Sequence, residues 1–509
     1  MIRRLLANPW TVLVAALAVW AGSAAPVAAQ DGRTVTIALA ADPVTLDPNA
    51  TRDTTSNMNY GHMFEGLYAL DAKGQPQPAL ATAYRLVDPL TWEFKLRPGV
   101  KFHNGEPLDA QAVKFTYERT MDPNFRTGWR TFIGPVERVE VVDPATVRIV
   151  TKRPFPTLLN QLAYLPIVPP KYVQEKGAAV FAKNPVGTGP FKFTEWVPGT
   201  RLVLDAFGGY WGPAPKVQRV VVRPIPELST RIAELETGGV DIILQVPPDQ
   251  ARRLRSSPKV QIIGLPSTQV MILQVNTRSG NPKLKDARVR QAISLAINRA
   301  AVVNQLLLGE ANLINSPLSP EYLGYDASLP VPEHNPEKAK QLLQEAGAAG
   351  LELRFSTPSG RYVQDTQIAE VIASQLRAVG LTVKVEPLEI AQYVQRLQNR
   401  TIGDLVYIGV GSEDRDAGTT LTVYLTSESV WSQYANPELD RLVKESVGIM
   451  DRQQRGAAYR KAVAYTVQDA AGIWLWDAKY LFGISQRLRV TPHSGDWHPI
   501  VASEIDFAQ

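Results

Sequence analysis

LELRFSTPSGRYVQDTQIAEVIASQLRAVGLTVKVEPLEIAQYVQRLQNRTIGDLVYIGV, residues 351–410, is the stretch whose reading decides the fold class. LELRFSTP, LTVKVEPL and DLVYIGVG are short β-type runs. VQDTQIAEVIASQLRAVG and IAQYVQRLQNR place apolar residues at helical spacing. Strand, helix, strand, helix, strand in this order predicts βαβ units and a largely parallel sheet.

The same alternation continues on both sides. Upstream, ELSTRIAELETGG (227–239) predicts a helix stopped by Gly238 and Gly239. DIILQV follows as a strand, PPDQARRLRSS as a helix with proline at its start, and VQIIGLPS as a strand. QVMILQVNT (269–277) opens a second series. There Asp286 is expected to cap one helix, ARVRQAISLAINRAAVVNQLLLG, and Asn335-Pro336 opens another that Gly347 closes. PELDRLVKESVGIM and RQQRGAAYRKAVAYTVQDA add helices, and IWLWDAKYLFGIS (473–485) is β-like again.

The N-terminal third has a different texture. TVTIALA (34–40) and TWEFKLRPGVKF (91–102) alternate polar and apolar residues, as half-buried strands do, and VERVEVVDPATVRIVT (136–151) predicts a hairpin around Asp143-Pro144. Two α/β lobes are therefore expected, the first carrying a strand-rich insertion. The boundaries read as a signal peptide at 1–29, a first lobe at 30–273 with the insertion at about 63–185, a second lobe at 274–479, and a return to the first lobe at 480–509. Two short crossings between lobes would suit a hinge.

Residues 1–29 have the three-part layout of a cleavable export signal. Arg3-Arg4 lead, an apolar run follows from Trp10 to Trp20, and small residues precede a cut near Ala29-Gln30. The apolar run is about half the roughly 20 residues a membrane span needs. The formal net charge is +5, and losing Arg3 and Arg4 takes it to +3, with no Lys/Arg block of the kind that tracks nucleic acid. Cysteine is absent, which removes disulfides, thiolate chemistry, Cys-bound metal and a lipid-bearing cysteine. The expected product is a free periplasmic protein.

Five segments resemble family 5 of the bacterial extracellular solute-binding proteins. They are TLDPNA (45–50), the run from FEGLYALDAKGQPQP to FTYERTMDP (64–123), NPVGTGPFKFTEW (184–196), LKDARVRQAISLAINRAAVV (284–303) and NPEKAKQLLQEAG (335–347). Their order and spacing hold from about residue 34 to 485. The resemblance implies a two-lobed α/β fold of the periplasmic-binding-protein, or Venus-flytrap, type. Its lobes close by hinge motion over a solute, which an ABC permease then accepts. Both lobes must touch the ligand for binding to drive closure.

It also implies contacts. In peptide-binding relatives an aromatic residue and an aspartate follow a strand of the second lobe, and the acid meets the peptide's amino terminus. Here Val410, Gly411 and Ser412 precede Glu413 and Asp414; Glu413 aligns best and Asp414 is the near alternative. Arg361, in STPSGRYVQD, could form a bidentate pair with a ligand carboxylate. Thr54, Thr55 and Ser56 offer hydroxyls, and Trp431, with Tyr434, offers an apolar wall. In GTGPF (187–191), Gly187 and Gly189 permit close backbone approach or positive φ, in a tight turn expected between lobes.

A secreted hydrolase is the competing class. No GxSxG elbow, HExxH helix or Walker loop is present, so no catalytic residue is named and the chain is read as a binder. His493 and His498 flank Asp496 at a spacing that fits no zinc pattern, so no metal or cofactor is expected. The expected partners are a small solute, most simply a di- or oligopeptide, and an ABC permease; the protein is expected to be a monomer. An opine, a glutathione-like conjugate, an oligosaccharide or a metal chelate are the alternative ligands, and a sensory binder is the alternative role.

Overall fold

The computed structural model describes residues 33–493 and 499–508; the signal sequence, Asp496 and His498 lie outside them. Eleven strands of the described chain join in one sheet that runs through both lobes. From the first lobe inward it passes through Phe191–Val197, Arg201–Ala206, Arg219–Pro224, Thr34–Leu39 and Ile242–Leu244. Then come two long strands, Gly472–Ser485 and Val260–Val275, followed by Leu405–Gly411, Glu352–Pro358 and Thr382–Leu388 of the second lobe; the eleventh, Ala311–Leu313, pairs with Gly472–Ser485 off this path.

The sheet is mixed rather than largely parallel. Thr34–Leu39 pairs in parallel with both neighbours, and Glu352–Pro358 does the same. The two long strands are antiparallel to each other, because one leaves the first lobe and the other returns to it. Thr34–Leu39 is buried along its whole length, not half-buried, because both its faces are covered: Val35, Ile37 and Leu39 pack in one core and Ala38 in another.

The cores divide within the long strands. Val270, Met271, Ile272 and Leu273 pack in the second lobe, with Trp474, Leu475 and Trp476. Val260, Ile263 and Leu265 pack in the first, with Leu481, Phe482 and Ile484. Between the two regions the ladder breaks register, from Pro266 to Val270 on one strand, opposite Lys479 and Asp477 on the other. The core thus changes hands a few residues before the boundary read at 273/274.

A separate four-stranded antiparallel sheet, Ala81–Asp88, Thr91–Leu96, Thr146–Thr151 and Val136–Asp143, has its own core around Trp92, Phe94, Tyr117 and Trp129. The hairpin at Asp143-Pro144 is present. The single helix read after Asp286 is instead two, Ala287–Ala296 and Arg299–Gln305. Asn298 breaks it by capping the second through Ala301 N at 2.9 Å, while the Arg299 guanidinium takes the Ser294 and Ile297 carbonyls freed by the break.

GTGPF lies within the first lobe rather than between lobes. It leads into Phe191–Val197, and Gly189 N donates to Met63 O at 2.9 Å. Neither glycine has positive φ; close approach is what they provide. A Cβ on Gly187 would stand 2.0 Å from Met63 O. Gly187→Ala is therefore expected to cost about 1–3 kcal/mol, since backbone must move. Thermal unfolding measures it, and a loss under about 0.5 kcal/mol, as at an ordinary surface site, would show that the two segments part freely.

Candidate functional site

A cavity of about 590 Å³ lies where the lobes meet. The first lobe supplies the end of Thr34–Leu39 and the start of the helix Thr54–Tyr60; the second supplies Gly360 to Val363, Tyr407 and Glu413. The long strands form its floor through Gln269, Met271, Trp476, Ala478 and Tyr480.

Aromatic side chains make one wall. Tyr362 meets Tyr407 edge-on at 5.8 Å between ring centres, and Tyr407 and Trp476 are 6.4 Å apart. Such rings bind the apolar parts of a ligand, and the hydroxyls of the tyrosines add polar contacts. Charged groups are fewer. Glu310 is buried between Arg255 at 2.5 Å and Lys479 at 3.4 Å. Arg231 donates to the Ile225 and Pro226 carbonyls at 2.6 and 2.8 Å. Arg361 is exposed on its loop, and no carboxylate of the described chain lies within ion-pair distance of it.

That loop is held from beneath. The buried Asp365 carboxylate accepts the N–H groups of Arg361 at 2.8 Å, Tyr362 at 3.1 Å and Gly360 at 3.2 Å. A carboxylate taking several backbone donors fixes the loop through its main chain, while among the described residues the guanidinium itself touches only Tyr362, by its hydroxyl and 5.8 Å from its ring centre.

Of the residues singled out from sequence, Thr54, Thr55, Arg361 and Glu413 line the cavity together. Ser56, Asp414, Trp431 and Tyr434 do not. The Ser56 hydroxyl accepts Val44 N at 3.0 Å, and its N–H is capped by Asp53 at 2.8 Å. Trp431 and Tyr434 pack into the second lobe's core. His493 meets Glu504 at 2.8 Å, and no metal-holding group of His, Asp or Glu occurs among the described residues.

Asp414 turns inward from Glu413. It accepts the Ser412 hydroxyl at 2.6 Å, the Thr419 hydroxyl at 2.7 Å and Asp416 N at 3.1 Å. Burial, then the neighbouring Asp416, push its pKa up to about 6. The unfolded value is about 3.9, so the folded state holds this proton more tightly. Its stabilising contribution is complete below about pH 4 and is lost as pH rises through 6, by about 3 kcal/mol in all. Burial pushes His62 and His103 down to about 4, which acts in the opposite direction. The two histidines are common to wild type and Asp414→Asn, so the difference between the proteins isolates the carboxyl. Asp414→Asn should gain stability relative to wild type between pH 4.5 and 7.5; a pH-independent difference would remove the assignment.

Sequence reading missed Arg52, Glu310, Tyr407, Trp476, Lys479 and Tyr480. Alternation in IWLWDAKYLFGIS held part of the signal, since Trp476, Ala478 and Tyr480 fall two apart and reach the cleft together.

Comparison with known proteins places this geometry in context. Residues 75–431 match the model described as bacterial extracellular solute-binding proteins, family 5, middle. The glutathione-binding protein GsiB of Pectobacterium atrosepticum is 29% identical over 504 residues, covering 96% of this chain and 93% of the relative. The periplasmic binding protein DppA of Helicobacter pylori, solved with the peptide STSA, superposes with a TM-score of 0.76 at 25% identity, covering 94% and 98% of the two chains. HbpA2 of Haemophilus parasuis superposes with a TM-score of 0.86 at 23% identity, covering 94% and 100%. Among the described residues no helix is long and apolar enough to cross a membrane.

Proposed function

This chain belongs to family 5 of the bacterial extracellular solute-binding proteins, and from that premise we propose that it captures a short, carboxylate-bearing peptide in the periplasm for an ABC importer. One observation carries the ligand reading: Arg361 stands without a carboxylate partner among the described residues at the edge of a cavity with an aromatic wall. A peptide carboxylate matches the guanidinium, its side chains match the rings, and the Thr54 and Thr55 hydroxyls face its backbone amides. The volume falls within the roughly 300–1,000 Å³ of small-ligand sites and suits two or three residues rather than a long chain. The names of relatives that bind glutathione or a peptide point the same way.

The hinge of this reading is the register break at Pro266 to Val270 with Asp477 to Lys479 opposite. Residues up to the break move with the first lobe and those beyond it with the second. The mature protein is a monomer, free in the periplasm after cleavage near Ala29-Gln30, and it performs no chemistry on its ligand.

Native mass spectrometry of protein from its own periplasm, then calorimetry against di- and tripeptides including glutathione, tests the proposal. The expected result is one ligand per chain, affinity near micromolar, and a raised unfolding temperature without turnover. No peptide binding below millimolar concentration would overturn the ligand class, and product beyond one equivalent would overturn the binder.

A further inference from the structure

Glu413 enters the cleft from the second lobe, just beyond the strand Leu405–Gly411. A cation from the first lobe meets it there. Arg52 Nη2 stands 3.3 Å from Glu413 Oε2, across 361 positions of sequence. Arg52 is firmly seated, with its side chain 12% exposed. Its guanidinium carbon lies 3.1 Å from the centre of the Phe132 ring and 5.4 Å from that of Trp129. A planar guanidinium stacked on aromatic faces is held in place before any ligand contact is made. The same seam is closed by Tyr164 OH donating to Glu413 O at 3.2 Å and by Asn160 Nδ2 donating to Asp414 O at 3.1 Å.

We propose that Arg52 takes, on Glu413, the place that a ligand ammonium would otherwise occupy, so that the cleft selects its solute through a carboxylate and requires no free amine. The inference deepens the short-peptide reading and, in its ligand part, rests on it. Glu310 is already held by Arg255 and Lys479, a cluster with one more cation than acid, and Arg231 is spent on backbone carbonyls. With Glu413 paired too, neither lining carboxylate is left open to an amine, and Arg361 is the lining cation that no carboxylate or backbone carbonyl holds among the described residues. An ammonium drawn to Glu413 would have to expel Arg52 from its aromatic seat or leave a largely buried guanidinium beside a second cation. Both outcomes cost more than a partly exposed pair returns. A ligand whose amine is blocked or missing meets no such conflict.

Two measurements test this. In the ligand-free protein, Arg52→Ala, Glu413→Ala and the double variant form a cycle. Their effects on the unfolding equilibrium constant should fall short of multiplying by at least threefold, as for side chains in contact. Calorimetry then compares trialanine with N-acetyltrialanine. Wild type should bind the two within threefold of each other, and Arg52→Ala, with Glu413 released, should favour the free amine by tenfold or more. A fully multiplicative cycle overturns the pairing. A tenfold preference of wild type for the free amine overturns the selectivity. Failure of both probes to bind overturns the short-peptide reading instead, and the cycle alone then decides whether Arg52 holds Glu413.

Discussion

Replacing Arg361 by alanine is expected to weaken solute binding by about a hundredfold while leaving the unliganded fold unchanged. Removing one partner of a desolvated, hydrogen-bonded charge pair costs about 2–5 kcal/mol, and the lower part of that range is already some two decades in Kd. The fold should not notice, because the guanidinium is exposed and its loop is fixed by backbone bonds to Asp365 rather than by its own side chain. Its one aromatic contact is loose, 5.8 Å from the Tyr362 ring centre. Arg361→Lys should recover only part of the loss, since an ammonium cannot match a carboxylate with two parallel bonds. Asp365→Ala should lower affinity through the loop and, unlike Arg361→Ala, lower the unfolding temperature as well. Calorimetry on the three variants separates contact from positioning. An Arg361→Ala protein within threefold of wild-type affinity would place the ligand carboxylate elsewhere.

What was legible in the sequence was what the chain decides locally. Asn335 and Asp286 cap the helices expected of them, and the Asp143-Pro144 hairpin forms, because each depends on a few neighbouring residues. The split after Ala296 was missed because its cause is partly remote: Arg299 also donates to Trp474 O at 2.5 Å, 175 positions away. The site divides along the same line. Thr54 and Thr55 at a helix start, and the loop residues Arg361 and Glu413, could be picked by type and place. Asp414 and Ser56 have the same chemistry, but a one- or two-residue step turns them toward Thr419 and Val44 instead. Arg52 lay within the very loop whose hydroxyls were singled out. Its role depends on an acid 361 positions distant, and no local pattern carries that.

Arg290 illustrates how much of the cleft rests on such remote work, and its loss should be strongly destabilising. In sequence it is one more cation on the helix Ala287–Ala296. In the fold it is almost fully buried and donates to Leu284 O at 2.9 Å, Lys285 O at 2.8 Å and Ala470 O at 2.9 Å. It also reaches Asp469, through its carbonyl at 2.5 Å and its carboxylate at 2.7 Å. Asp469 and Ala470 lie at the end of the helix Arg452–Gln468 and just before the strand Gly472–Ser485, whose Trp476, Ala478 and Tyr480 make the cleft floor. Arg290→Met fills the volume but strands several buried acceptors and the Asp469 charge, so a loss of about 3–5 kcal/mol is expected. The unfolding midpoint of the second lobe should fall on the order of 10 °C. Arg290→Lys should lie between, because one ammonium with three donors cannot span carbonyls on two sides. Well below the lowered midpoint, peptide affinity should change less than stability does, since Arg290 touches the floor strand's anchor and not the ligand. Thermal scans paired with calorimetry at 15 °C distinguish the cases. Stability within 1 kcal/mol of wild type in Arg290→Met would mean that water satisfies those carbonyls and that the floor strand is anchored elsewhere.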